Sequence, residues 1–235
     1  MSAYENIFDA AKEGTIEDVR YFLEKKGVDV NTKGPHDFTP LHAAAKNTEV
    51  AKFLISKGAD IRATDKVGFT PLTMAAFAEN IELAKILISA GADVNAKGQS
   101  GDTPLTTTIY KGNVEIAKFL ISKGANVNVK THNGTPLHIA AQSGHIELVK
   151  ILALEHSDRG QAYSDEGKYD LAIEEYTEAI KGIPAASFYG LRGCAYFDKR
   201  NIDLAIADFE AALRIDPDNE AAKNMLKTIK QARGS

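Results

Sequence analysis

Between residues 39 and 142 the apolar positions fall into short bursts that come in pairs. The first burst of a pair is rich in alanine, as in His42-Ala43-Ala44-Ala45. The second is bulkier, as in Ala51-Lys52-Phe53-Leu54-Ile55. Each burst predicts a short helix with one buried stripe. Thr-Pro-Leu opens the first burst four times, at Thr39, Thr70, Thr103 and Thr135, with spacings of 31, 33 and 32 residues. The threonine hydroxyl is expected to cap the helix, and the proline suits a first turn that has no use for its missing N–H. Three second bursts stop at a glycine, in LISKGAD, LISAGAD and LISKGAN, where glycine can take the left-handed conformation that ends a helix. Polar segments such as NAKGQSGD lie between pairs and predict hairpin turns.

Anchors recurring at a fixed period are the signature of stacked repeats. These anchors resemble the ankyrin repeat. Residues 2–33 fit the same frame through Ala10-Ala11, Gly14 and Asn31, with Glu5-Asn6-Ile7-Phe8 in the tetrapeptide slot, as a polar capping unit should. The copies are irregular. Lys46-Asn47-Thr48 spans what Phe77-Ala78-Glu79-Asn80-Ile81 spans one unit later, and Thr107-Thr108-Ile109 replaces alanines, which reads as natural rather than consensus sequence.

From residue 153 a second pattern takes over. Gly160/Gly193, Tyr163/Tyr196, Ala172/Ala205, Tyr176/Phe209, Ala179/Ala212 and Pro184/Pro217 each recur 33 residues apart. Small residues let antiparallel helices approach, aromatics fill the space between them, and proline ends the second helix. The pattern resembles the tetratricopeptide repeat, in two copies followed by a terminal helix with Ala222, Met225, Leu226 and Ile229 as its apolar stripe.

At the junction His156 stands where the preceding unit has its stop, Gly124. Ala153-Leu154-Glu155 are good helix formers, so one helix from about 146 to about 166 is expected to end the first array and begin the second. The resulting expectation is an all-α solenoid. Residues 1–152 form five ankyrin units, and residues 153–235 form two tetratricopeptide-like units with a capping helix. Domains ordinarily meet through flexible linkers, and this pair has none. A fusion engineered through a shared helix is the leading account, and Arg233-Gly234-Ser235 could include a cloning remnant.

Composition narrows the function. The chain has 44% hydrophobic and 26% charged residues, as in a folded soluble protein. The net charge of −4 arises in the C-terminal third, so no basic excess points to nucleic acid. No run is long and apolar enough for a membrane span, and the N-terminus lacks the form of a signal peptide. The single Cys194 precludes an internal disulfide, which favours the cytoplasm.

Catalytic chemistry finds no constellation. His42 and His138 are expected to tie neighbouring turns by hydrogen bonds. His145 with Glu147 lacks metal-ligand spacing. Glu174-Glu175 and Asp165-Glu166 are adjacent pairs that do not face each other on a helix and are expected on the solvated surface. Cys194 has no activating partner and is expected to be a small buried or groove residue. No phosphate-binding, dinucleotide or zinc motif occurs, so neither enzyme activity nor a cofactor or metal is expected.

Binding is the function that the resemblances imply. Positions matching the variable tips and inner helices of ankyrin units are Phe38, Lys66, Val67, Phe69, Phe77, Gln99, Asp102, Tyr110 and Lys111. The aromatics among them could serve as interface anchors or pack between units. In the tetratricopeptide groove the places that grip a peptide carboxylate hold Ser157, Gln161, Leu191, Ala221 and Met225, with no cationic clamp. Ser164, Asp165, Phe197 and Asp198 remain as groove candidates. The expected protein is a monomeric, non-catalytic scaffold for protein or peptide partners, built as a rigid fusion. The alternative is a natural bacterial-type adaptor recruiting partners through the same surfaces.

Overall fold

The computed structural model describes residues 4–233. Residues 2 and 3 of the expected capping unit, and the Gly234-Ser235 end read as a remnant, lie outside them. The chain divides into two compact units, Met1–Ser143 and Gly144–Ser235.

The first unit is a stack of helical hairpins. Its elements are α1 (Ile7–Glu13), α2 (Ile16–Arg20), α3 (Pro40–Ala43), α4 (Thr48–Ser56), α5 (Pro71–Phe77), α6 (Ile81–Ser89), α7 (Pro104–Lys111), α8 (Val114–Ser122) and α9 (Pro136–Gln142). The threonine caps form as the residue pattern dictates. Thr39, Thr70 and Thr103 accept the backbone N–H of His42, Thr73 and Thr106, each three residues on. Thr135 makes no such cap; its hydroxyl lies 2.7 Å from His138 Nδ1. Gly58, Gly91 and Gly124 follow α4, α6 and α8 with φ of 86°, 95° and 86°, the left-handed stop that L residues avoid.

The irregular second unit resolves itself locally. After four residues α3 tightens into a 3₁₀ turn, Ala44–Lys46, and Asn47 then caps α4. The longer third unit reaches the same point through Glu79 at φ 59°. The two missing residues are therefore absorbed by winding, not by loss of a helix.

Small and large apolar residues divide the core. Ala44, Ala51, Ala75, Ala84 and Ala117 are fully buried and let helices approach. Leu54, Leu72, Leu83, Leu87 and Leu120 fill the remaining space. Burying one such leucine contributes about 1.5–3 kcal/mol. Asparagines bridge neighbouring units: Asn47 Nδ2 donates to Gly14 O at 2.9 Å, and Asn80 Nδ2 to Ala45 O at 3.0 Å. At the hairpin bases Asn31 and Asn95 donate to Gly58 O and Gly124 O. The hairpins themselves are turns, with a single antiparallel bridge at Thr131 and Gly134 among the described residues.

The second unit begins with α10 (Ile146–Asp165), a continuous helix of 20 residues, and continues through α11 (Tyr169–Gly182), α12 (Ala186–Asp198), α13 (Ile202–Ile215) and α14 (Glu220–Arg233). Its interior explains the recurring glycines. A Cβ on Gly160 would lie 2.7 Å from the Tyr176 ring, and one on Gly193 would lie 2.9 Å from the Phe209 ring. Both rings are 1% exposed. Burial also pushes the Tyr176 hydroxyl up to about 12.

An ion pair repeats with the same period. Arg192 binds Asp208 through two bonds of 2.8 Å and Thr177 Oγ1 at 3.0 Å. One repeat earlier Arg159 reaches Glu175 at 3.1 Å, and His156 Nδ1 lies 2.7 Å from the other carboxylate oxygen. This corrects one expectation: Glu175 is buried rather than solvated. Its register beside Tyr176 and Ala172 turns it inward, where Arg159 and His156 supply the partners that a buried carboxylate needs. Of the two places expected for Cys194, buried or in a groove, the first is corrected: the residue is exposed. Partial burial and Asp198 nevertheless hold its thiol pKa above the ordinary value.

Candidate interaction face of the N-terminal unit

One position in each repeat lines the inner helices. In the first four units Lys12, Lys46, Phe77 and Tyr110 occupy it, Lys46 at the end of the 3₁₀ turn after α3 and the others in the last turn of a first helix. Phe77 is 49% and Tyr110 42% exposed, unusual for rings of this size on a folded surface. Lys111 Nζ lies 4.0 Å from the centroid of the Phe77 ring, a close cation–π contact. The Tyr110 hydroxyl accepts a bond from Asn133 Nδ2.

The hairpin tips are joined in series. Lys66 N donates to His36 O at 2.7 Å, Gln99 N to Val67 O at 2.9 Å, and Gln99 Nε2 to Lys66 O at 2.8 Å. Val67 is exposed at the tip. Phe38, Phe69 and Asp102 share one structural slot. Their carbonyls accept from Gly34, Asp65 and Gly98 and so close each hairpin. The two phenylalanines divide their area between solvent and packing. Phe38 lies 5.2 Å from the His42 ring, and Phe69 lies against Gly98, where a Cβ would come within 3.0 Å. Asp102 Oδ1 is buried without a partner.

His42 connects tip to helix. Thr39 N–H donates to its Nδ1 at 3.2 Å, so the ring proton sits on Nε2 and is donated to Phe69 O at 3.0 Å. Burial holds its pKa below the ordinary histidine value. The same tie is not repeated at His138, which is exposed and holds the Thr135 hydroxyl.

Two adjoining hollows open on this face. One, of about 700 Å³, is lined by Asn6, Phe8, Asp9, Pro35, His36, Phe38, Asp65 and Val67. The other, of about 340 Å³, lies between Phe8, Phe38, Ala45, Met74 and Phe77, with Lys12 and Lys46 among its lining residues. Phe8 and Phe38 border both. The structure thus brings Phe38 together with Val67 in one hollow and with Phe77 in the other. Phe8 and Met74 were missed by residue-level reasoning. Phe8 was legible in principle, since the capping unit's Glu5-Asn6-Ile7-Phe8 puts it in register with His42.

In the second unit Asp165 and Asp198 are exposed, and Ser164 and Phe197 are half-buried. Asp165 accepts from Gln161 at 2.7 Å. Among the described residues no cluster of His, Cys, Asp or Glu is arranged to hold a metal ion.

Residues 7–98 and 97–162 match the ankyrin repeats (3 copies). The chain belongs to the ankyrin repeat family. A tetratricopeptide repeat follows at residues 157–220, so this ankyrin repeat protein carries both repeat types in an all-α solenoid architecture. Both are generally modules of protein–protein interaction. A 71-residue stretch, 29% of the chain, is 42% identical to alpha-latrocrustotoxin-Lt1a of Latrodectus tredecimguttatus and covers 5% of that toxin. Another match, 36% identical over 69 residues or 28% of the chain, is to Protein phosphatase 1 regulatory subunit 27 of Mus musculus, 45% of which it covers. The chain therefore spans less than half of each of these ankyrin relatives. No described helix is long and apolar enough to cross a membrane.

Proposed function

We propose that this protein is a non-catalytic interaction scaffold. Its ankyrin module, residues 1–152, presents the inner face to protein or peptide partners, and α10 is the segment through which the tetratricopeptide module, residues 153–235, is joined to it. The observation that carries the reading is the pair of exposed rings, Phe77 and Tyr110, in one repeat register beside an apolar hollow. Exposed aromatics beside a concavity are what interface anchors require. Similarity to a protein named as a phosphatase regulatory subunit supports partners that are proteins. The protein acts as a monomer in the cytoplasm.

The uninterrupted α10 supports a fusion made by design, whereas the irregular second unit and its private 3₁₀ turn favour a natural adaptor with partners of its own. Affinity capture from cell extract, comparing the native chain with a Phe77→Ala/Tyr110→Ala variant, tests the binding face. At least one protein should be retained saturably by the native chain and lost by the variant. Identical sets on both would remove the inner face from the account.

A further inference from the structure

Charge is sorted by face in the ankyrin unit. Lysines on the second helices are neutralised by glutamates three residues earlier: Lys52 by Glu49 at 2.7 Å and Lys85 by Glu82 at 2.8 Å. On the inner face Lys12 is paired with Glu13 at 2.8 Å, and at the first hairpin Lys33 reaches Asp37 at 4.0 Å, but four other lysines of this face are not paired. Lys46 and Lys111, with Lys66 and Lys97 at the tips, have no carboxylate within 4.0 Å among the described residues. Three acids of the same face accept bonds from neutral N–H donors and keep their charge. Asp9 accepts from Asn6, Asp65 accepts two backbone N–H groups, and Glu79 accepts from Asn113. Two ammonium groups without a carboxylate partner thus stand at the hollow between Phe38, Met74 and Phe77: Lys46 in its lining, which also includes Asp9, and Lys111 over the Phe77 ring.

We infer that the partner of this face is an acidic peptide segment carrying a bulky apolar side chain. The apolar side chain enters the hollow of about 340 Å³, where loss of water from aliphatic and aromatic walls favours it. Carboxylates beside it in the sequence reach Lys46 on one rim and Lys111 on the other. Lys111 is already held over the Phe77 ring, so its position is set before binding and less side-chain freedom is lost. A basic segment would meet like charge on both rims, which gives the face its discrimination. The inference rests on the scaffold reading above and adds the chemistry of the occupant.

A library of random twelve-residue peptides displayed on phage tests it on the full chain. Peptides enriched on the native protein should place Asp or Glu within a few residues of Leu, Phe, Met or Ile. Their synthetic forms should bind more weakly as salt rises. A Lys46→Glu/Lys111→Glu variant with unchanged circular dichroism should lose them by roughly tenfold or more, two charge pairs having been turned from attractive to repulsive. Enriched peptides without acidic residues, or undiminished binding by the variant, would overturn the inference and leave the scaffold reading standing. Enrichment of nothing at all would count against both.

Discussion

Replacing Gly160 with alanine sets two known effects against each other at one atom. In a helix interior the change should stabilise by about 1 kcal/mol, since glycine has more backbone freedom to lose. Here the new methyl group would stand 2.7 and 2.8 Å from two carbons of the Tyr176 ring, well inside ordinary contact. That ring is 1% exposed and cannot swing into solvent, so α10 and α11 must separate. Overpacking of this kind costs about 1–3 kcal/mol, and two contacts below 3.0 Å against a rigid ring belong at the upper end. The net expectation is a loss of roughly 1–2 kcal/mol. Gly190 supplies the control. It lies in α12 with nothing within 4 Å of an added Cβ, so Gly190→Ala should gain about 0.5–1 kcal/mol. Because a chain of two units need not unfold in one step, the readout is native-state hydrogen exchange of the α10–α13 amides, supported by urea unfolding. A second substitution, Tyr176→Leu, should recover part of the loss in Gly160→Ala, giving a favourable coupling between the two sites. If Gly160→Ala proves as stabilising as Gly190→Ala, the packing account of the recurring glycines is wrong.

Other expectations are equally specific. His42 is neutral in the folded chain, and burial lowers its pKa from the ordinary 6.5. The unfolded chain therefore takes up the proton first as pH falls. Stability should be complete above about pH 6.5 and decline below it, by at most about 1.4 kcal/mol per pH unit; urea midpoints of His42→Gln should flatten this decline. Removing Arg192 leaves Asp208 buried without its bidentate partner, so Arg192→Ala should cost about 3–5 kcal/mol in chemical unfolding. Asn80→Ala removes both the cap on Leu83 N and the bridge to Ala45 O, an expected loss of about 1–2 kcal/mol. By contrast Phe77→Ala, at an exposed position, should leave the unfolding midpoint within about 0.5 kcal/mol while weakening any partner.

What could be foreseen follows from the range of the interactions. Threonine caps, first-turn prolines and glycine stops act within four residues, and at Thr39 or Gly58 the local chemistry suffices to place the helix end. The paired periods of small and aromatic residues were equally plain, because the helices that they join are neighbours in the chain. The inward turn of Glu175 was not. Adjacent carboxylates look solvated until the register of α11 is known, and their compensation comes from His156 and Arg159 on another helix. The candidate face shows the same divide. Phe77 and Tyr110 were identified from repeat position alone, whereas the contribution of Phe8 and Met74 required the hollow between successive helices to be seen.

The asparagine bridges have a mechanical consequence. Asn47 reaches back to Gly14, and Asn80 to Ala45 and Thr48; each tie crosses one boundary and no further. Under tension applied to its ends such an array has no clamp that must fail all at once. It should peel unit by unit from an end, each rupture exposing the next bridge intact, and on release rewind against whatever neighbour remains as template. The ankyrin unit is thus built less like a latch than like a spring that gives way in steps and recovers in the reverse order.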